Sequence, residues 1–219
     1  MKSQLNCIKR VLQLSTASMV LAGMAQVANA GVIPYPNVGT PNPTTYSFTA
    51  AATGDVIAYF AGSSAGYTEE VGMIDETTHT NSGLGLNDHT SFLGETFDMG
   101  AVNAGDTLVF FDDVFNTGGD IYSNPLLNVP YDNFGVTNHN HIYSTLAAAG
   151  QAYGGSPVGT YVAFEDLPFP GSDYNYHDDT FVFTDVATQE HSAPDAASTM
   201  ALFGFALTGL GVLKRRFQS

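Results

Sequence analysis

The densest group of side chains able to do chemistry runs from Phe164 to Asp179, as Phe164-Glu165-Asp166-Leu167, then Pro168 to Ser172, then Asp173-Tyr174-Asn175-Tyr176-His177-Asp178-Asp179. Oxygen donors at alternate positions, such as Asp173 and Asn175, converge on one point when a tight loop turns them inward, and hard cations such as calcium take six to eight such oxygens. Glu165, Asp166, Asp173, Asn175 and Asp178 are therefore the candidate metal ligands, with calcium as the implied ion. The run is not an EF-hand, because the glycine and distal glutamate of that loop are missing and helical flanks are not expected. A solvated acidic turn is the competing reading. Carboxylates that crowd together without a basic partner favour a cation.

Other constellations carry weaker signals. Phe111-Asp112-Asp113-Val114-Phe115-Asn116, followed by Gly118, Gly119 and Asp120, echoes the first run and reads as a hairpin end before a second cation site. His139 and His141 would share a strand face, a spacing that transition metals use when a third ligand is near. Gly62-Ser63-Ser64-Ala65-Gly66 fits G-x-S-x-G, yet Tyr67 to Asp75 reads as strand or loop where a nucleophile elbow needs a helix, so a flexible turn is expected. Glu165 and Asp166 could serve as an acid and base pair, but neighbours on a strand point to opposite faces.

The stretch FEDLPFPGSDYNYHDDTFVF resembles the signature of family 4114 of the bacterial domains of unknown function. That pattern reads F-E-D, a variable loop, D-x-D/N-F/Y-N-D and an apolar strand. Glu165, Asp166, Asp173, Asn175, Tyr176 and Asp178 match it, and His177 stands where Asn is usual. The run NHNHIYST also resembles the family, so the likeness extends from about Thr44 to Val186. It implies a surface or extracellular β domain and supplies no reaction.

The charge distribution narrows the partners. All six basic residues lie at the ends, as Lys2, Lys9, Arg10, Lys214, Arg215 and Arg216, whereas all 21 acidic residues fall from Asp55 to Asp195. The segment from Gly31 to Asp195 thus has a formal charge of −21 and no Lys or Arg with which to pair it. Repulsion opposes compaction unless cations or high salt offset it. Nucleic acid is excluded as a partner, since phosphate binding rests on basic side chains. The single cysteine, Cys7, lies in the N-terminal segment, which removes disulfides and thiolate chemistry from the rest.

Short β-rich runs must position these groups. They span Thr44–Ala50, Asp55–Phe60, Thr90–Phe97, Thr107–Phe111, His141–Thr145, Gly159–Glu165 and Thr180–Val186, separated by Gly- and Asn-rich connections. Tyr46, Phe48 and Ala50 alternate with Ser47 and Thr49, and Phe181 and Phe183 likewise share a face. The expected fold is all-β, an antiparallel β-sandwich or jelly roll over residues 44–190. Pro34, Pro36, Pro41 and Pro43 make residues 31–43 an extended leader.

The two ends are targeting segments. Lys2, Lys9 and Arg10, an apolar run from Val11 to Val27, and the small residues Ala28 and Ala30 around Asn29 read as a signal helix over residues 1–30, cleaved after Ala30. In the C-terminal sorting segment, residues 191–219, the chain runs uncharged from Ala196 to Leu213. As a helix that run extends about 27 Å, enough to span a bilayer. Lys214, Arg215 and Arg216 then hold the cytoplasmic side, so the acidic domain faces outward. Pro194, Asp195, Ser198 and Thr199, the apolar span and the basic end together resemble a PEP-CTERM sorting signal, in its variant that begins V-P-D and ends S-T; Ala193 stands where Val is usual. The resemblance implies recognition by exosortase, a membrane-embedded transpeptidase-like enzyme, and an association with exopolysaccharide matrix.

These features describe a protein exported from a bacterial cell, anchored in transit at the inner membrane and destined for the cell surface, outer envelope or extracellular matrix. The expected role is noncatalytic: a structural or adhesive protein whose loops bind calcium. A calcium-dependent carbohydrate-binding module is the alternative, with Tyr131, Tyr153, Tyr174 and Tyr176 as exposed aromatics that stack on sugars of a surface glycan. A hydrolase using the acidic cluster ranks third, because no nucleophile, base and orienting group stand at recognisable spacing.

Overall fold

In the computed structural model, residues 32–132 and 139–192 are described. Alternation of apolar and polar side chains draws them into two antiparallel sheets that face each other. The first sheet has the order β11 (Val186–Ser192), β1 (Thr44–Ala50), β6 (Thr107–Val114), β3 (Glu69–Asp75), β4 (Thr80–Asn87). A short β7 (Gly119–Tyr122) folds back on β6. The second sheet has the order β5 (Thr96–Val102), β2 (Gly54–Ser63), β10 (Asp179–Phe183), β9 (Gly159–Phe164), β8 (Ile142–Ala147). One helical turn, α1 (Val129–Asp132), follows β7.

The core lies between the sheets. Tyr46 and Phe48 of β1, Leu108 and Phe110 of β6, and Phe181 and Phe183 of β10 all point into it, as the two-residue period requires. Phe110 stacks on Phe183 with ring centroids 3.9 Å apart and meets Phe48 edge-on. The outer face of the second sheet is covered as well, where Tyr161, Ala163 and Val182 lie under Tyr35 and Tyr176. Strands buried on both faces read as unbroken apolar runs, which is how TYVAF and TFVF stand in the sequence.

Several expectations are corrected. Residues 90–95 form a turn ahead of β5, in which Phe92 N–H donates to the Glu95 carboxylate at 3.0 Å and Glu95 N–H to the Phe92 carbonyl at 2.9 Å. The run from Thr180 to Val186 breaks near Asp185, which adopts the left-handed conformation at φ +59°, and its two halves enter different sheets. The described part of the leader packs against the sandwich. Tyr35 packs on Tyr143 and Tyr176, and buried Asn42 donates to the Ile142 carbonyl at 2.9 Å and the Tyr46 hydroxyl at 3.1 Å. Among the described residues no helix is long and apolar enough to cross a membrane. The signal helix with Ala28 and Ala30, the span 196–213, Pro194, Asp195, Ser198, Thr199 and the basic triplet all lie outside the described residues.

Register sets where chemistry can collect. Thr44 stands opposite Ser192 and Phe48 opposite Leu108, so Thr44 and Ser192 share the end of the sandwich toward which β6 runs through Asp112. At that end the apolar layers of the core give way to carboxylates.

Candidate metal centre

Three strands put a carboxylate at an inward position where the pattern calls for an apolar residue. Glu69 precedes Val71 and Met73 on the inner face of β3, Asp112 lies between Phe110 and Val114 on β6, and Asp179 precedes Phe181 and Phe183 on β10. Val71 pairs with Asp112, which makes Glu69 the diagonal neighbour of Asp112 on one face. Asp179 approaches from the opposite sheet, and one oxygen from each of the three groups lies within 4.8 Å of the others. The β6–β7 turn that fixes the end of β6 closes on Gly118, whose φ of +69° glycine adopts without strain.

A second group adjoins the first. Strand β9 ends at Phe164, so Glu165 and Asp166 escape strand alternation, and their carboxylates meet that of Asp178 with one oxygen from each within 4.8 Å of the others. The opposed orientation expected for Glu165 and Asp166 is thereby corrected. Asp166 N–H donates to Asp178 Oδ2 at 3.0 Å. Tyr174 and Tyr176, both left-handed at φ +56° and +52°, coil the loop so that the N–H groups of Asn175 and Tyr176 donate to Glu165 Oε2. The Asp166 carboxyl faces both Glu69 and Asp178, which joins the two groups.

The electrostatics are severe, because six carboxyls share a dry space and the described residues include no Lys or Arg. Burial, reinforced by Asp112 and Asp166, pushes the Glu69 carboxyl up to about 12. Burial likewise raises Asp112 and Asp179 well above the carboxylate range, with Asp179 acting on Asp112 and Glu69 on Asp179. Asp178 rises to about 8 through burial and the neighbouring Asp166 and Glu165, and burial raises Glu165 and Asp166 too. Both oxygens of Glu69, both of Asp112, Oδ2 of Asp179 and Oε1 of Glu165 have no hydrogen-bond partner. Buried acceptors left bare cost about 1–3 kcal/mol each, more when charged. Either protons or a cation must occupy such a place, and the all-oxygen donor set suits a hard divalent ion.

The predicted ligands divide. Glu165, Asp166 and Asp178 converge, whereas Asp173 and Asn175 bond to each other at the exposed rim, Asn175 Nδ2 donating to Asp173 Oδ2 at 2.7 Å. Glu69, Asp112 and Asp179 were not among the predicted ligands. Their signal was available as E-x-V-x-M, F-x-D-x-V and D-x-F-x-F, charges in phase with core residues in a segment that has no base.

The remaining candidates are otherwise engaged. His141 uses both ring nitrogens, one on Asp132 Oδ1 at 2.9 Å and one on the Glu165 carbonyl at 2.8 Å, and His139 Nδ1 meets Asp132 Oδ2 at 3.0 Å. The pair therefore brackets the Asp132 carboxylate. Burial raises Asp132, but its bonds to His141, Phe169 N–H and His139 more than offset this and hold it below the usual range. Ser64 bonds to His177 Nδ1, and extended chain leads from it into β3, so no elbow helix forms. Tyr131, Tyr153 and Tyr176 are buried and Tyr174 is half-buried, which corrects the expectation of four exposed stacking rings. Each had an apolar surface to cover, and Tyr131 reaches the Asp166 carbonyl with its hydroxyl.

Beyond the last strand, residues 194–217 match a family described as the VPDSG-CTERM motif. The chain carries an exosortase sorting tail. This tail is the substrate tag of an exosortase-type processing enzyme, and it implies export and membrane passage toward the cell surface. The chain has no recognisable match among curated proteins. Nor does it match a solved structure.

Proposed function

We propose that the protein is a noncatalytic, calcium-binding structural or adhesive component of the cell surface or exopolysaccharide matrix, delivered by its sorting tail. The observation that carries this reading is the convergence of Glu165, Asp166 and Asp178, with Glu165 Oε1 buried and bare, in a segment without Lys or Arg. The resemblance of residues 164–183 to family 4114 supports an extracellular β domain. Calorimetric titration of calcium into the chelator-stripped protein is the test, at low and then high sodium chloride. Saturable heat at both salts that is reduced in Asp178→Asn supports a specific site. Stability that rises only with sodium chloride, with no heat from calcium, would make the acidic charge a solvation device.

A second reading, calcium-dependent glycan binding, draws on one cleft. A cavity of about 830 Å³ lies beside the centre, lined by Asp120, Tyr122, Leu127, Tyr131 and Pro168 among others. Tyr122 donates its hydroxyl to Asp120 at 2.7 Å, which presents an aromatic face and an acceptor together, a combination that suits sugar rings. Retention on immobilised polysaccharide in calcium, lost in Tyr122→Ala, supports it; no retention in calcium rejects it.

A further inference from the structure

We infer that Glu69, Asp112 and Asp179 hold a second calcium ion, adjacent to one held by Glu165, Asp166 and Asp178, and that Asp166 lies between the two ions and is shared by them. The inference rests on the calcium reading of the first group and extends it from a loop site to a two-ion centre that ties the sheets together.

Four observations carry it. Glu69 and Asp112 are both fully buried, and all four of their carboxyl oxygens lack a partner; Asp179 Oδ2 adds a fifth bare oxygen. One oxygen from each of the three carboxyls lies within 4.8 Å of the others although they come from three strands, and the Asp166 carboxyl adjoins Glu69 from the neighbouring group, so four carboxyls can supply the six or more oxygens that calcium takes. Glu69 and Asp112 belong to the first sheet and Asp179 to the second, so an ion there closes the sandwich where the apolar core ends. The neighbouring Asp88 is not free to replace them, since its Oδ1 already accepts the Glu69 N–H at 2.9 Å. The absence of nitrogen and sulfur donors points to a hard cation. A site this dry favours calcium over magnesium, which gives up its water reluctantly.

The experiment uses the full chain in detergent, stripped with chelator, refilled with calcium or magnesium, and analysed for bound metal. Wild type is expected to retain two calcium ions per chain, with one lost in Asp112→Asn, one lost in Glu69→Gln and one lost in Asp178→Asn, each checked for fold by circular dichroism. Should the variants fail to fold, terbium lifetimes in light and heavy water on wild type supply the second measurement, with one bound ion free of coordinated water. One ion per chain in wild type that both Asp112→Asn and Glu69→Gln retain overturns the second site and leaves the first standing. Loss in those two variants but not in Asp178→Asn overturns the first group alone. Hydration at every terbium, or equal filling by magnesium, overturns the dry calcium site, and no bound ion overturns both readings.

Discussion

Asp75 and Asp112 are both buried aspartates of the first sheet, and their surroundings are opposite. Burial raises Asp75, but the Thr78 hydroxyl at 2.7 Å and the N–H groups of Thr77 and Thr78 outweigh it, so its carboxyl stays below the usual range. Asp112 has no donor at all. The difference fixes a pH dependence. A carboxyl raised by the fold stabilises it fully below the unfolded value near 3.8, and that stability is lost as pH climbs through the folded value, about 8 for Asp178. A tenfold change in a carboxyl's proton affinity on folding corresponds to about 1.4 kcal/mol. In chelator, the melting temperature should therefore fall from about pH 4.5 to pH 8 by several degrees. Below that window Asp75 and Asp132 act in the other direction. Calcium should flatten the fall, and Asp178→Asn should reduce it; a flat curve in chelator would rule the mechanism out. Half of this centre was legible in the sequence, because Glu165, Asp166 and Asp178 crowd into one acidic run. The other half is scattered over 110 positions from Glu69 to Asp179, and only strand pairing brings it together.

Among the elements, β6 is the hinge of the architecture, since it pairs with β1, β3 and β7 while its inner face carries both Phe110 and Asp112. Phe110→Ala should destabilise the calcium-loaded protein by about 3–5 kcal/mol in chemical denaturation, with the number of bound ions unchanged. A loss of ions along with stability would show that the aromatic layer and the centre are one cooperative unit. Strands marked by clean alternation or by an unbroken apolar run were legible in advance: β1 was read at its observed bounds, and the starts of β2, β6, β8, β9 and β10 to within a residue. Three were not predicted as strands, β4, β7 and β11, and β3 was read only as strand or loop. Strand β3 interrupts its apolar face with Glu69, β4 contains Gly83 and Gly85, β7 is four residues long, and β11 ends in the polar run Thr188-Gln189-Glu190-His191-Ser192. Partners across the sheet specify these strands more than their own propensities do.

For the molecule as a whole, the charges are segregated along the chain, with 21 acidic residues between two basic ends. Replacing Lys214, Arg215 and Arg216 with glutamine should weaken retention at the membrane during sorting, because basic residues beside a span hold the cytoplasmic side. Cell fractionation checks this, with precursor shifting from the membrane fraction to the soluble envelope or the medium; unchanged partitioning would count against an anchoring role for the triplet. The first and last strands leave the sandwich side by side, at the end where the carboxylates gather. Asp195 follows Ser192 by three residues, a reach of about 10 Å at full stretch. A tail anchored in a membrane would hold the carboxylate-bearing end of the sandwich toward the lipid headgroups and the opposite end outward. Processing of such an anchored tail would do more than release the protein, for it would free the carboxylate-bearing face to meet the surroundings.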